Sequence, residues 1–126
     1  MNLLEAEQLA RRLMIQHGLA GWSFEFDRST RRFGACKPMR RVISLSWRLV
    51  LLNSAEEVRE TILHEIAHAL TPGDGHGPKW KAMCARLGIP ALRCFTAEEV
   101  TMPARRGSRM EIGCTTCNWW ADRTRF

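Results

Sequence analysis

The segment from residue 54 to residue 72 constrains this chain most, because it predicts a helix that is buried on nearly every side. Ser54 and Glu57 fit a capping box, in which each side chain accepts a hydrogen bond from the other residue's backbone N–H. Pro72 disfavours helical geometry in the residue before it and should end the helix near residue 70. Apolar residues fill the later turns: Ile62, Leu63, Ile66, Ala67, Ala69 and Leu70. We therefore expect this helix at the centre of the fold.

Two histidines and a glutamate interrupt this apolar helix. His64 and His68 are four residues apart, which places them on one face about 6 Å apart along the axis, so both imidazoles can point at one metal ion. Glu65 lies about 100° around the helix, where it could reach a water on that ion. Burial of this trio without a metal would be costly, because an unpaired carboxylate resists desolvation. The pattern therefore predicts half of a metal site.

The following loop offers the third ligand that a catalytic zinc site usually has, beside a water in the fourth position. His76 comes eight residues after His68, within a glycine-rich loop at residues 73–77. Its glycines allow the backbone to turn back over the helix, and Pro78 is well suited to begin the next helix. Asp74, in the same loop, is the alternative third ligand.

The remaining pattern predicts an α+β fold. Residues 3–17 read as an amphipathic helix, and a further helix should begin at Pro78. Apolar and polar residues alternate at residues 22–26, which predicts a strand, and residues 32–37 and 41–47 predict two more strands. Short turns join these strands, so we expect a three-stranded antiparallel sheet packed on helices. The apolar faces should include Leu4, Leu9, Leu13 and Met14 in the first helix, and Ile43, Leu45 and Trp47 in the third strand.

Composition limits the class of protein. At 126 residues, with 45% hydrophobic and 25% charged residues, the chain should fold as one small globular unit. No apolar run approaches the roughly 20 residues that cross a bilayer, and the N-terminus lacks a signal-peptide pattern. We therefore expect a cytoplasmic monomer without a membrane partner.

Five cysteines are an odd number, which favours reduced thiols over a disulfide framework. The net charge of +6, mostly from arginine, is compatible with a nucleic-acid partner.

The C-terminal residues 105–126 form a basic tail to a main domain at residues 1–104. Cys114 and Cys117 are separated by two residues, a spacing that lets both thiolates bind one zinc ion. The tail holds one such pair, which leaves three alternatives: the sequence ends before a second pair, the second pair has been lost, or Cys94 and another residue complete the site.

The same tail combines arginines with two tryptophans. Arginines can contact phosphates and tryptophans can stack on bases, which predicts a surface for single-stranded or distorted DNA. Alternatively, the tryptophans pack the tail onto the core and the arginines are simply solvated. The residues concerned are Arg105, Arg106, Arg109, Trp119 and Trp120.

Two stretches of sequence resemble the SprT-like (Spartan) family, which includes a DNA-dependent protease. HEIAHAL followed by GHGPKW is similar to the family's zinc-binding core, and FGACKPMRRVISLSWRLV resembles its paired strands and leucine-rich segment. The likeness spans residues 22 to 95. It implies a zincin-like metalloprotease domain in which His64, His68 and His76 bind Zn²⁺ and Glu65 is the general base. It also implies protein substrates on DNA, and often a C-terminal zinc ribbon.

Zinc would lower the pKa of its bound water towards about 7, and Glu65 would take the proton as that water attacks a peptide carbonyl. One alternative is a nucleic-acid-binding module in which zinc is structural and no peptide is cut. Glu65 argues against it, because a structural site needs no base and is closed by four protein ligands. A zinc hydrolase of a non-peptide amide is a second alternative, and it would use the same residues.

Overall fold

A computed structural model describes residues 1–91 in full, together with the backbone of residues 95–96 and 111–112. Its elements in chain order are α1 (Leu3–Gln16), β1 (Ser23–Asp27), β2 (Gly34–Lys37), β3 (Val42–Ser46), α2 (Trp47–Leu52), α3 (Ala55–Leu70), α4 (Pro78–Leu87), β4 (Phe95–Thr96) and β5 (Glu111–Ile112). The tail residues predicted to bind a second zinc ion or DNA, and the boundary after residue 104, lie outside the described residues.

The first three strands form one mixed sheet in the order β1-β3-β2. β2 is antiparallel to β3, but β1 runs parallel to β3, so the prediction of a fully antiparallel meander is wrong. The reason lies in the connection after β1, which is an irregular loop rather than a tight hairpin turn. The Asp27 carboxylate accepts the N–H of Ser29, and the Ser29 hydroxyl accepts the N–H of Arg32. This loop places β2 along the edge of β3 that lies opposite β1. β4 and β5 pair separately as an antiparallel ladder.

The third strand ends one residue before the sequence pattern predicts. Trp47 was expected on its apolar face, yet it begins α2. The Ser46 hydroxyl accepts the N–H of Leu49 at 3.3 Å and caps this helix. An N-cap serine of this kind satisfies an N–H that the first turn leaves free, which turns the chain from strand to helix.

Helix α3 lies at the centre of the fold, as predicted, and packs against α1, α4, β2 and β3. Its capping box is present: the Ser54 hydroxyl accepts the Glu57 N–H, and the Glu57 carboxylate accepts the Ser54 N–H, both at 3.3 Å. Strand β2 approaches α3 so closely that a Cβ on Gly34 would lie 3.1 Å from Cγ2 of Thr61. The residue type at position 34 therefore sets the distance between sheet and helix.

The two flanking helices match their predicted bounds closely. The Asn2 side chain caps α1 through the N–H of Glu5. Leu4, expected on the buried face of α1, is 67% exposed, and the face is formed instead by Ala6, Leu9, Ala10, Leu13 and Met14. Helix α4 begins at Pro78 and ends at Gly88, which has a left-handed φ of 77°. No helix in the described part of the chain has the length and apolar character to span a membrane.

Candidate metal centre

Helix α3 supplies two imidazoles and a carboxylate to one buried position. His64 and His68 are 4% and 1% exposed, and their ring centroids lie 5.0 Å apart. Glu65 is 2% exposed. These three polar side chains are buried because α3 is covered on most sides by the sheet and the neighbouring helices.

The loop between α3 and α4 brings His76 to the same position. Two successive turns build it: the Asp74 N–H donates to the Thr71 carbonyl at 3.2 Å, and the Gly77 N–H donates to the Asp74 carbonyl at 2.9 Å. The His76 ring centroid lies 4.9 Å from that of His68. One ligand atom from each of His64, His68 and His76 lies within 4.8 Å of the others.

The alternative ligand, Asp74, has another role in the structure. Its carboxylate accepts the backbone N–H of Trp80 at 2.9 Å and so caps α4, whose N-cap residue Gly77 has no side chain to do so. A Cβ on Gly77 would lie 2.8 Å from that carboxylate, so only glycine fits there without a shift. Asp74 therefore builds the loop that carries His76.

The environment keeps the α3 imidazoles neutral. Burial, with the nearby His68 and His76, holds the pKa of His64 well below its ordinary value. Burial and the neighbouring His76 lower the pKa of His68 to about 3. A neutral imidazole has a nitrogen lone pair free for a metal, so both histidines are in the ligating form at neutral pH.

The donor set fits a metal ion. Both ring nitrogens of His68 are buried and have no hydrogen-bond partner. Buried polar atoms are nearly always paired, and an unpaired one is costly. Three imidazoles suit zinc among other transition metals, at N–Zn distances of about 2.0–2.1 Å.

Two buried cysteines of the main domain are not part of this group. Cys36 and Cys84 are reduced thiols buried in the core. Burial raises the pKa of Cys84 to about 11, so this thiol stays protonated. Both act as small core residues.

Trp80 is a site residue that the sequence reasoning missed. Its side chain is fully buried, and its ring contacts all three imidazoles. The available signal was the spacing of Trp80 and Cys84, four residues apart, which marks the buried face of α4.

Comparison with known proteins gives one family match and two similar folds. A family model described as SprT-like family matches residues 5–102. No curated protein matches the chain. The crystal structure of the metallopeptidase zymogen of Methanocaldococcus jannaschii jannalysin superposes with a TM-score of 0.57 at 16% identity, covering 64% of this chain and 79% of that one. The zymogen of Pyrococcus abyssi abylysin gives a TM-score of 0.55 at 16% identity, covering 65% and 78%. At this identity, the likeness shows a shared fold.

Proposed function

The chain belongs to the SprT-like family, and from this premise we propose that it is a zinc-dependent peptidase that cleaves peptide bonds at the centre on α3. The observation that carries the proposal is the convergence of His64, His68 and His76, whose donor atoms lie within 4.8 Å of one another. Glu65 lies beside this group on the same buried helix.

Each residue then has a defined task. The three imidazoles would hold the ion, and a bound zinc would supply a Lewis acid for both the water and the scissile carbonyl. Glu65 accepts the proton that the attacking water releases as its oxygen bonds to the carbonyl carbon. Glu65 then gives that proton to the amine nitrogen as the C–N bond breaks, so the base is restored after each turnover.

The number of donors favours a catalytic site over a structural one. Structural zinc is closed by four protein ligands, whereas catalytic zinc keeps one position open. Within residues 1–91, the converging group contains three histidines and no fourth ligand. This supports an open position beside Glu65, and it weighs against a zinc module without catalysis.

Replacement of Glu65 by glutamine tests the proposal directly. Glu65→Gln keeps the size of the side chain but cannot take a proton, so cleavage of an unfolded labelled protein should fall by about 10²- to 10⁴-fold. Zinc content, measured by elemental analysis, should remain at the wild-type level. Glu56→Gln, at an exposed position in the first turn of the same helix, is the matched control. Undiminished cleavage by Glu65→Gln would remove it as the base.

We further propose that the substrates are proteins associated with DNA. The net charge of +6 and the tail tryptophans support this.

Replacing both Trp119 and Trp120 by alanine should weaken affinity for a single-stranded oligonucleotide, because each stacked base contributes about 1–3 kcal/mol. Fluorescence anisotropy would measure the affinity for the oligonucleotide, with Trp47→Ala as the control variant. Equal affinity of the double variant and the wild type would assign these tryptophans to packing.

A further inference from the structure

The indole of Trp80 contacts every member of the proposed metal-binding triad. Its ring stacks on His68, with centroids 5.2 Å apart and planes inclined by 19°. It meets His64 at 5.0 Å and His76 at 4.4 Å, both edge-on. These contacts join two ligands on α3 to a third on the loop, so one rigid side chain fixes the relative placement of all three rings.

The backbone of Trp80 is held from the same loop. The Asp74 carboxylate accepts its N–H at 2.9 Å, and the Asp74 backbone closes the turns on either side. His76 lies between these two residues in the sequence. We name this pair of residues, with the hydrogen bond between them, the Asp74–Trp80 clasp. The clasp ties the position of the indole to that of His76.

Core packing alone does not account for a tryptophan here. The indole Nε1–H of Trp80 is buried and has no hydrogen-bond partner. Burial of such a donor is unfavourable, and phenylalanine would avoid it. A broad ring that reaches three imidazoles at once is what tryptophan adds over phenylalanine.

We propose that Trp80 is a positioning residue, which together with Asp74 holds His64, His68 and His76 in metal-binding geometry before the ion arrives. The inference rests on the proposed function, because it requires that the triad binds zinc. Outer-shell residues that orient ligands by hydrogen bonds typically change metal affinity by about 10- to 100-fold when they are replaced, and we expect an effect of the same order from the ring contacts of Trp80.

The first test compares Trp80→Phe with Phe33→Leu, a substitution at another fully buried aromatic residue. Zinc affinity would be measured by competition with a chromophoric chelator, and ligand geometry by the visible spectrum of the Co²⁺-loaded protein. Trp80→Phe should bind zinc about 10- to 100-fold more weakly and shift the Co²⁺ bands. Phe33→Leu should lower the melting temperature of the metal-free protein while both metal readouts stay at wild-type values.

The second test leaves the core volume unchanged. Asp74→Ala releases the backbone of Trp80 and should weaken zinc binding, whereas Asp74→Asn keeps an oxygen acceptor and should restore it. Wild-type affinity and Co²⁺ spectra in both Trp80→Phe and Asp74→Ala would overturn the proposal. A wild-type protein that binds no zinc in the same assay would instead contradict the proposed function.

Discussion

His68 shows how a single residue can be unfavourable for the fold and still suit the site. Both of its ring nitrogens are buried without a partner, and its pKa is lowered to about 3 by burial and by His76. In the metal-free protein these nitrogens contribute a desolvation cost with no compensating hydrogen bond. A bound metal ion would supply a partner for one of these two nitrogens.

Replacement of His68 by leucine should therefore separate stability from metal binding. An unsatisfied buried polar group costs about 1–3 kcal/mol, so metal-free His68→Leu should have a higher free energy of unfolding than metal-free wild type by about that amount. Zinc should stabilise the wild type and leave the variant unchanged. Urea unfolding with and without zinc would measure both effects. A variant that is less stable than the wild type in chelator would show that the His68 nitrogens are already satisfied.

At the scale of elements, the close approach of β2 to α3 sets the geometry around the site. A Cβ on Gly34 would lie 3.1 Å from Cγ2 of Thr61 and 3.2 Å from the Ser44 carbonyl. Thr61 is one helical turn before His64, and its hydroxyl donates to the Glu57 carbonyl. An added methyl group at position 34 would push the sheet from the helix that carries two of the three imidazoles.

Gly34→Ala should lower the free energy of unfolding by about 1–3 kcal/mol, because overpacking a tight interface forces side chains or backbone to shift. Thr61→Ser removes the crowding Cγ2 but keeps the hydroxyl. The double variant should therefore lose less stability than the sum of the two single variants, by at least about 0.5 kcal/mol. Chemical denaturation of all four proteins measures this coupling. Strict additivity would mean that the Thr61 methyl group is not what limits the space at Gly34.

At the scale of the whole molecule, the site joins separate parts of the fold. Two candidate ligands come from α3, the third comes from the loop, and Trp80 comes from α4. A bound ion would cross-link these parts in the folded state only, because the unfolded chain does not hold the three donors together.

Removal of zinc should therefore affect stability and activity together. A ligand that binds only the folded state adds about 4 kcal/mol when its free concentration is 1,000 times its dissociation constant. Treatment with a chelator should lower the melting temperature and abolish peptide cleavage, and added zinc should restore both. Calorimetry and a cleavage assay on the same sample provide the measurements. Cleavage that persists in chelator would exclude a metal-dependent mechanism.

The sequence by itself determined α1, α3 and α4 and the candidate ligands, whereas α2 was not predicted. Ser54, Glu57, Pro72 and Pro78 are local signals, since helix caps and helix stops act within a few residues. Helix α3 begins and ends, and α4 begins, where these signals predict. The spacing of His64 and His68 is likewise a property of one helix. Local signals of this kind can be interpreted from the sequence without knowledge of the tertiary structure.

Only the tertiary structure decided which elements lie side by side. The alternation at residues 22–26 marks a strand and its faces, but it carries no information about direction, so the parallel pairing of β1 with β3 was not predictable from it. The same holds for Trp80, on α4, against the imidazoles of α3. These contacts depend on where packing of the core brings distant elements together, and local sequence patterns do not specify that.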